Sequence, residues 1–506
     1  MKNSDAARIE PASRIEPVEI SPAAAPAAPA PDLRERLIVP KVRRRTPPGL
    51  LAATLDRIRE DLALTAAFPP AVEAEAKAVV DLVELPPLDL TDIPFVTIDP
   101  EGATDLDQAV FIARHGAGYL VRYAIADVPA FVAPGGAIDG EARLRGQTLY
   151  APDGRIPLHP TIISEHAASL LPDGERGAYV WNMYLDVAGN VTTTKLQRAR
   201  VRSRAQYSYT QVQQLVDSGA ADESLQLLKE VGLKRIDLER KRGGASLNRP
   251  DEEVMLEGEV YILVRRSSLA VEEWNAQISL MTGMAAAKIM LDGGVGILRT
   301  MPAPWHDTLA RFRAQVAAIG CPWPKSQPYG EYLRALDHDD PRGLAAIHAA
   351  ASLFRGAGYT AFDGAPPEHS TQAAVAAPYA HTTAPLRRLV DRFVLVTCEA
   401  LVNGRPVPQW VREALPTLPK IMGRSDGVAS RLEHASVDAI EAALLVPHVG
   451  EKFDAVVISA KDGGGVIQLT DPVVTAAIEG QVTPGEAIAA TLVTADIATG
   501  TTLFRV

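Results

Sequence analysis

Val96-Thr97-Ile98-Asp99-Pro100-Glu101-Gly102-Ala103-Thr104-Asp105-Leu106-Asp107-Gln108-Ala109-Val110 runs from an apolar strand into a Pro/Gly loop with three aspartates, and out into a second apolar run. Apolar residues on both sides give the strand signal, and Pro100 and Gly102 mark the tight connection. A carboxylate held against apolar strands is costly unless it is paired or bound to a cation. Hard oxygen donors in such a place suit Mg²⁺ or Mn²⁺. Taken alone, a segment of this spacing is more often a polar turn with a few acids. An EF-hand fits worse, because its alternate-position acids, glycine and closing glutamate are missing.

A second polar cluster lies far downstream at Tyr379-Ala380-His381-Thr382-Thr383-Ala384-Pro385-Leu386-Arg387-Arg388-Leu389-Val390-Asp391. Pro385 suits the first turn of a helix over 386–402, and Thr383 suits its cap, so the polar run ends at a helix N-terminus that favours anions. Arg387 or Arg388 is then placed to grip a phosphate. A capped surface helix explains the same residues equally well.

Between and around these clusters the chain is mixed α+β. Strands are expected at 95–98, 118–126, 179–187 and 254–264, and helices at 223–242, 271–291 and 386–402, followed by a mostly helical stretch over 408–445. Five strand-like runs with Gly/Asp turns then crowd into residues 450–506, which fits a small barrel of OB type. Phe453 and Phe504 are its only aromatics, so it lacks the stacking platform of a single-strand binder, and a structural cap explains it nearly as well. Toward the N-terminus two amphipathic helical patterns, 50–64 and 71–85, are split by Phe68-Pro69-Pro70. They read as a small helical unit, either a plain packing pair or a helix-turn-helix or winged-helix module able to bind DNA. The expected division is therefore a flexible Ala/Pro-rich tail at 1–32, a small helical domain at 33–92, an α+β body with trailing helices at 93–446, and the OB-type barrel at 447–506.

At 506 residues, 47% hydrophobic and 22% charged, the chain has the composition of a multidomain globular protein. The net charge of -11 argues against indiscriminate nucleic-acid binding, so any strand would be held in a local basic channel. Candidate basic runs are 41–45, 198–204, 234–242 and Arg387-Arg388, with solvated faces expected for at least half of them. Two distant cysteines, Cys321 and Cys398, support neither a disulfide framework nor a zinc site. With no signal-peptide core and no bilayer-length apolar run, a cytoplasmic, membrane-free monomer is expected.

The two clusters together resemble the RNB domain of the ribonuclease II and ribonuclease R family. That family carries a T-I-D-x5-D-x-D-D loop and a later Y-x-H-x-T-[SA]-P-[IL]-R-[RK] motif. The likeness continues through Ile125-Ala126-Asp127-Val128, 145–160 and 164–172, and covers about 93–404. It implies an RNB-type catalytic fold closed by an RNA-binding barrel. It further implies that Asp107 is tied to catalysis, Asp99 is a metal ligand, Asp105 lies near the terminal ribose, Arg387 contacts the scissile phosphate and Tyr150 packs on a terminal base. His381, Thr383 and Arg388 of the second motif join the substrate-binding candidates.

This chain departs from the pattern at several positions. The family's fourth aspartate falls on Gln108, whose amide oxygen can still coordinate a cation without bringing charge. The second stacking aromatic falls near Leu247, a later glutamate on Ser436, and Gln277 lies near another. Helical residues 33–92 stand where the family has a pair of cold-shock-like barrels, so the route of RNA entry is expected to differ. The resemblance implies Mg²⁺- or Mn²⁺-dependent hydrolysis of single-stranded RNA from its 3′ end to 5′-nucleoside monophosphates. The alternative is a non-catalytic RNA-binding protein that retains the fold, and a third reading makes 33–92 the DNA-binding part of a regulator.

Overall fold

The computed structural model describes residues 48–245, 251–257, 260–266, 268–337 and 340–506, with backbone alone for 251–257 and 260–266. The N-terminal tail, the basic run at 41–45 and Leu247 lie outside them. Helices α1 (Pro48–Asp61) and α2 (Pro70–Val80) precede strands β1 (Phe95–Asp99), β2 (Gln108–His115) and β3 (Gly118–Ala126). After α3 (Ala137–Arg145) and the hairpin β4 (Leu149–Ala151) to β5 (Gly154–Ile156), the long strands β6 (Glu175–Leu185) and β7 (Val191–Ser208) return to the same sheet. They close a barrel in the order β1-β2-β3-β6-β7, with β1 antiparallel to β2 and parallel to β7.

Closure follows from the residues. In β3, eight of nine positions are buried, because one face meets the barrel interior and the other meets helices. Trp181, Tyr123, Ile112 and Ile125 are almost fully enclosed. Each such side chain contributes roughly 1.5–3 kcal/mol relative to exposure. The β2–β3 turn needs Gly116, whose φ of +57° is costly for residues with a Cβ.

Strand β7 corrects the reading of 198–204 as a basic run. Its alternating arginines are paired off: Arg198 with Asp127, Arg200 with Asp89 and Glu175, and Arg202 with Glu175, while Arg204 donates to the Thr91 carbonyl. Period-two spacing makes a charged stripe on one face of a strand, and the acids around it neutralise that stripe.

Helices α4 (Tyr209–Asp217), α5 (Glu223–Arg242) and α6 (Ala270–Gly293) cover one side of the barrel, and α5 has the bounds expected for it. The single strand expected over 254–264 is instead an antiparallel hairpin, β8 (Asp251–Glu257) with β9 (Val260–Arg266). A pair β10 (Val295–Thr300) and β11 (Gly358–Asp363) brackets three helices, α7 (His306–Ile319), α8 (Tyr329–Arg334) and α9 (Pro341–Ala350). The short pair β12 (Thr371–Gln372) and β13 (Ala377–Pro378) then leads to α10 (Leu389–Val402), α11 (Gln409–Ala414) and the 28-residue α12 (Leu418–Leu445). Strands β14 (Lys452–Lys461), β15 (Gly464–Leu469), β16 (Thr475–Glu479), β17 (Ala487–Asp496) and β18 (Thr501–Arg505) form the expected second barrel. Phe453 and Phe504 are both buried in its core, edge to face at 5.7 Å, and neither is offered to a base.

Helices α1 and α2 do not share a core of their own. Leu51 and Leu55 of α1 lie against Ala439, Ile440, Ala443 and Leu444 of α12, whereas Val72 and Ala76 of α2 join the barrel core with Val128 and Ile138. The helix pair expected as a small unit is thus a pair of straps with different anchors. No helix among the described residues is long and apolar enough to cross a membrane.

Candidate active site

Asp99 ends β1 and Gln108 begins β2, so the acid loop caps one end of the first barrel. Its backbone is tied down throughout. Gln206 donates to the Ala103 carbonyl at 2.7 Å, Ser169 accepts from the Leu106 amide at 2.9 Å and donates to the Thr104 carbonyl at 2.7 Å, and Ala126 N–H reaches the Asp107 carbonyl at 2.9 Å. Loop geometry of this kind holds carboxylates in place before any ligand arrives.

The three aspartates meet different surroundings. Asp107 is 4% exposed, and its Oδ1 accepts from the Leu386 amide at 2.8 Å. Burial pushes its carboxyl well above the usual range, against the opposing charge of Arg387. Asp99 is pushed up to about 7 by burial and by the nearby Asp105, again opposed by Arg387. Asp105 instead has partners: Arg155 donates to Oδ1 at 2.7 Å, and the Tyr150 hydroxyl lies 3.4 Å from Oδ2. Arg155 also contacts Glu165 and Thr104, each at 2.8 Å. Sequence reading missed this arginine, although it sits five residues beyond Tyr150 on the same hairpin.

The second motif closes over the first. The helix expected from 386 begins at Leu389, and Thr383 does not cap it. The residues before it form a loop, held by Asp391, whose Oδ1 accepts from the Ala384 amide at 2.7 Å. Arg388 is forked onto Asp391 at 2.8 and 2.9 Å, which makes it a support of the loop rather than a free grip on substrate. Arg387 keeps 42% of its side chain exposed, with its Nε 3.9 Å from Asp107 Oδ2. Of the adjacent pair, Arg387 is therefore the one available to a phosphate.

Thr383 is buried, its hydroxyl paired with Ser279 of α6 at 2.7 Å. His381 pairs through Nδ1 with the Tyr359 hydroxyl at 2.8 Å and stands edge-on to Tyr359 and Tyr379. Burial and the arginines around it hold its imidazole neutral. Both residues therefore shape the loop from within. Tyr150 is 53% exposed on β4, and the Thr148 amide donates to the Arg387 carbonyl at 2.9 Å, which ties the β4 hairpin to the loop that carries Arg387.

Asp99 and Asp107 are two desolvated carboxylates opposed chiefly by the half-exposed Arg387, with Arg388 a weaker influence on Asp107, and that donor set fits a divalent cation. Among the described residues no group of three or more His, Cys, Asp or Glu side chains converges on one metal position. Waters and phosphate oxygens would complete the shell, as Mg²⁺ prefers. Gln108, expected among the metal ligands, has both ends of its amide in protein hydrogen bonds: its Oε1 accepts from Tyr123 at 2.7 Å, and its Nε2 donates to the Thr383 carbonyl at 2.6 Å. Gln277 is buried and donates to Glu239 at 2.6 Å, and Ser436 is buried within α12.

Comparison with known proteins agrees with this layout. Residues 88–404 match the model of the RNB domain, and 451–506 match that of the RNase II-type exonuclease C-terminal S1 domain. Ribonuclease R of Escherichia coli (strain K12) is 29% identical over 323 residues, covering 60% of this chain and 39% of the relative. The chain thus spans about two fifths of that relative's length. RNase R of Mycoplasma genitalium, solved in apo form and in complex with ribose methylated single-stranded RNA, superimposes with a TM-score of 0.81 at 18% identity, over 90% of this chain and 78% of the other. Yeast Ssd1, described as a pseudonuclease, superimposes with a TM-score of 0.69 at 15% identity, over 87% and 57% respectively.

Proposed function

Since this chain belongs to the RNB-domain family, we propose that it is a metal-dependent 3′-to-5′ exoribonuclease that hydrolyses single-stranded RNA to 5′-nucleoside monophosphates. The observation that carries the reading is the meeting of Asp107 with Leu386 and Arg387, residues 279 positions apart at the Leu386 contact, beside the desolvated Asp99. Asp99 and Asp107 would hold Mg²⁺ or Mn²⁺, which supplies an activated water and neutralises phosphoryl charge when bound. Arg387 grips the scissile phosphate from the opposite side. Tyr150 stacks on a terminal base, and Asp105, steadied by Arg155, meets the terminal ribose hydroxyls, where RNA differs from DNA.

The likeness to a pseudonuclease, together with Gln108 at an expected acidic position, favours a second reading: an RNA-binding protein that keeps the fold without turnover. A time course with 5′-labelled single-stranded RNA and its DNA counterpart, in Mg²⁺, in Mn²⁺ and in chelator, separates the two. A ladder shortening from the 3′ end, confined to RNA and stopped by chelation, is the expected result. Retained binding without cleavage in either metal would replace the enzyme reading with the second one.

A further inference from the structure

Gln108 has a carboxamide whose two ends are both fixed. Its Oε1 accepts the Tyr123 phenol at 2.7 Å, and its Nε2 donates to the Thr383 carbonyl at 2.6 Å. The orientation is forced, because turning the amide over would set its oxygen against a carbonyl with no proton between them. A carboxylate at this position would meet the same repulsion. Burial and the charges of Asp99 keep the Tyr123 phenol protonated, so the oxygen end has a standing donor.

The neighbouring residue, Asp107, takes the Leu386 amide at 2.8 Å. Residues 107 and 108 therefore grasp one loop at two points, Thr383 and Leu386, and Arg387 follows immediately. Thr383 is fixed from its other side by Ser279 of α6, at 2.7 Å. The loop that presents Arg387 is in this way hung between the first barrel and α6, with the Gln108 amide as the central tie.

We propose that Gln108 is a positioning residue rather than a metal ligand: its side-chain N–H anchors Thr383 and so sets the Arg387 guanidinium over Asp107. The kinetic consequence rests on the exonuclease reading, whereas the structural one does not.

The test uses the full chain with Gln108→Met, Gln108→Glu and Arg387→Ala, each checked for folding by circular dichroism and Tm. Hydrogen exchange of metal-free protein should show the Leu386 and Arg387 amides opening up to about tenfold more often in both Gln108 variants, the equivalent of one lost hydrogen bond. Affinity for a labelled single-stranded RNA in chelator should fall severalfold in Gln108→Met, with no further fall when Arg387→Ala is already present. Gln108→Glu should not lower the Mg²⁺ concentration needed for half-maximal cleavage. Unchanged exchange in the loop, or a clearly lowered Mg²⁺ requirement in Gln108→Glu, overturns the proposal. If Gln108→Met fails to fold, Tyr123→Phe removes the donor to Oε1, together with the phenol's contact with Ser279, and must still loosen the same amides; unchanged exchange there overturns it too. Absence of cleavage in the unaltered protein would count against the enzyme reading alone, since exchange and chelator binding still decide the role of Gln108.

Discussion

Arg387 and Asp107 carry the sharpest expectations at the scale of single residues. Asp107→Asn keeps the size of the side chain and its contact with Leu386 but removes a charge, so cleavage should fall by about 10²–10³ or more while RNA affinity in chelator changes little. Single-turnover rates and a binding titration check both halves. Arg387→Ala should weaken both cleavage and binding, and Arg387→Lys should restore only part of either, because an ammonium cannot make the two parallel contacts of a guanidinium. The candidate acids were legible in the sequence because one short loop between β1 and β2 keeps them together whatever else the chain does. The difference between Arg387 and Arg388 was not, since two adjacent arginines look alike until the side chain of Asp391 claims one of them. Arg155 was also hidden, for its role comes from a hairpin that folds it back toward Asp105.

Elements show the same division between pattern and partner. Strand β3 and helix α5 follow the expected bounds, because burial on both faces and a long amphipathic repeat are written into local spacing. The start of α10 was misplaced for a physical reason: Asp391 satisfies the Ala384 amide from inside the helix and so holds the preceding residues in a loop. That helix also buries Arg392 against Asp139 of α3, a fully enclosed ion pair. Arg392→Met should cost about 1.5–3 kcal/mol by removing the enclosed partner of Asp139 and leaving it only Arg143 and the Gly135 amide, as read by denaturant midpoints. Burial alone would raise the Asp139 carboxyl, but Arg392, the Gly135 amide and Arg143 together bring it below its ordinary value of 3.8. Its contribution is therefore present above that value and should be lost as pH falls below it through the folded-state value, a step that Asp139→Asn abolishes.

At the scale of the whole molecule, amphipathic patterns told that α1 and α2 bury a face but not which neighbour receives it. Only the fold shows α1 on α12 and α2 on the first barrel. Leu51→Asp should therefore lower the Tm of the entire protein rather than release a free module, and a differential scan that showed an unchanged main transition would contradict this packing. The second barrel is locked to α7 in a similar way. Gly485 has a φ of +84°, and a Cβ there would lie 1.6 Å from the Ala318 carbonyl oxygen. Gly485→Ala should destabilise that contact by more than about 1 kcal/mol, seen as early exchange at the α7 C-terminus. Finally, the aspartates and the arginine that faces them are separated by most of the chain, with 279 positions between Asp107 and Leu386. During translation at about 5–20 residues per second, roughly 15–55 s pass between the two. A half-made chain would thus carry its acids without their partner, and if the exonuclease reading holds, the order of synthesis itself would keep the newborn protein inactive toward the messenger and ribosomal RNA around it.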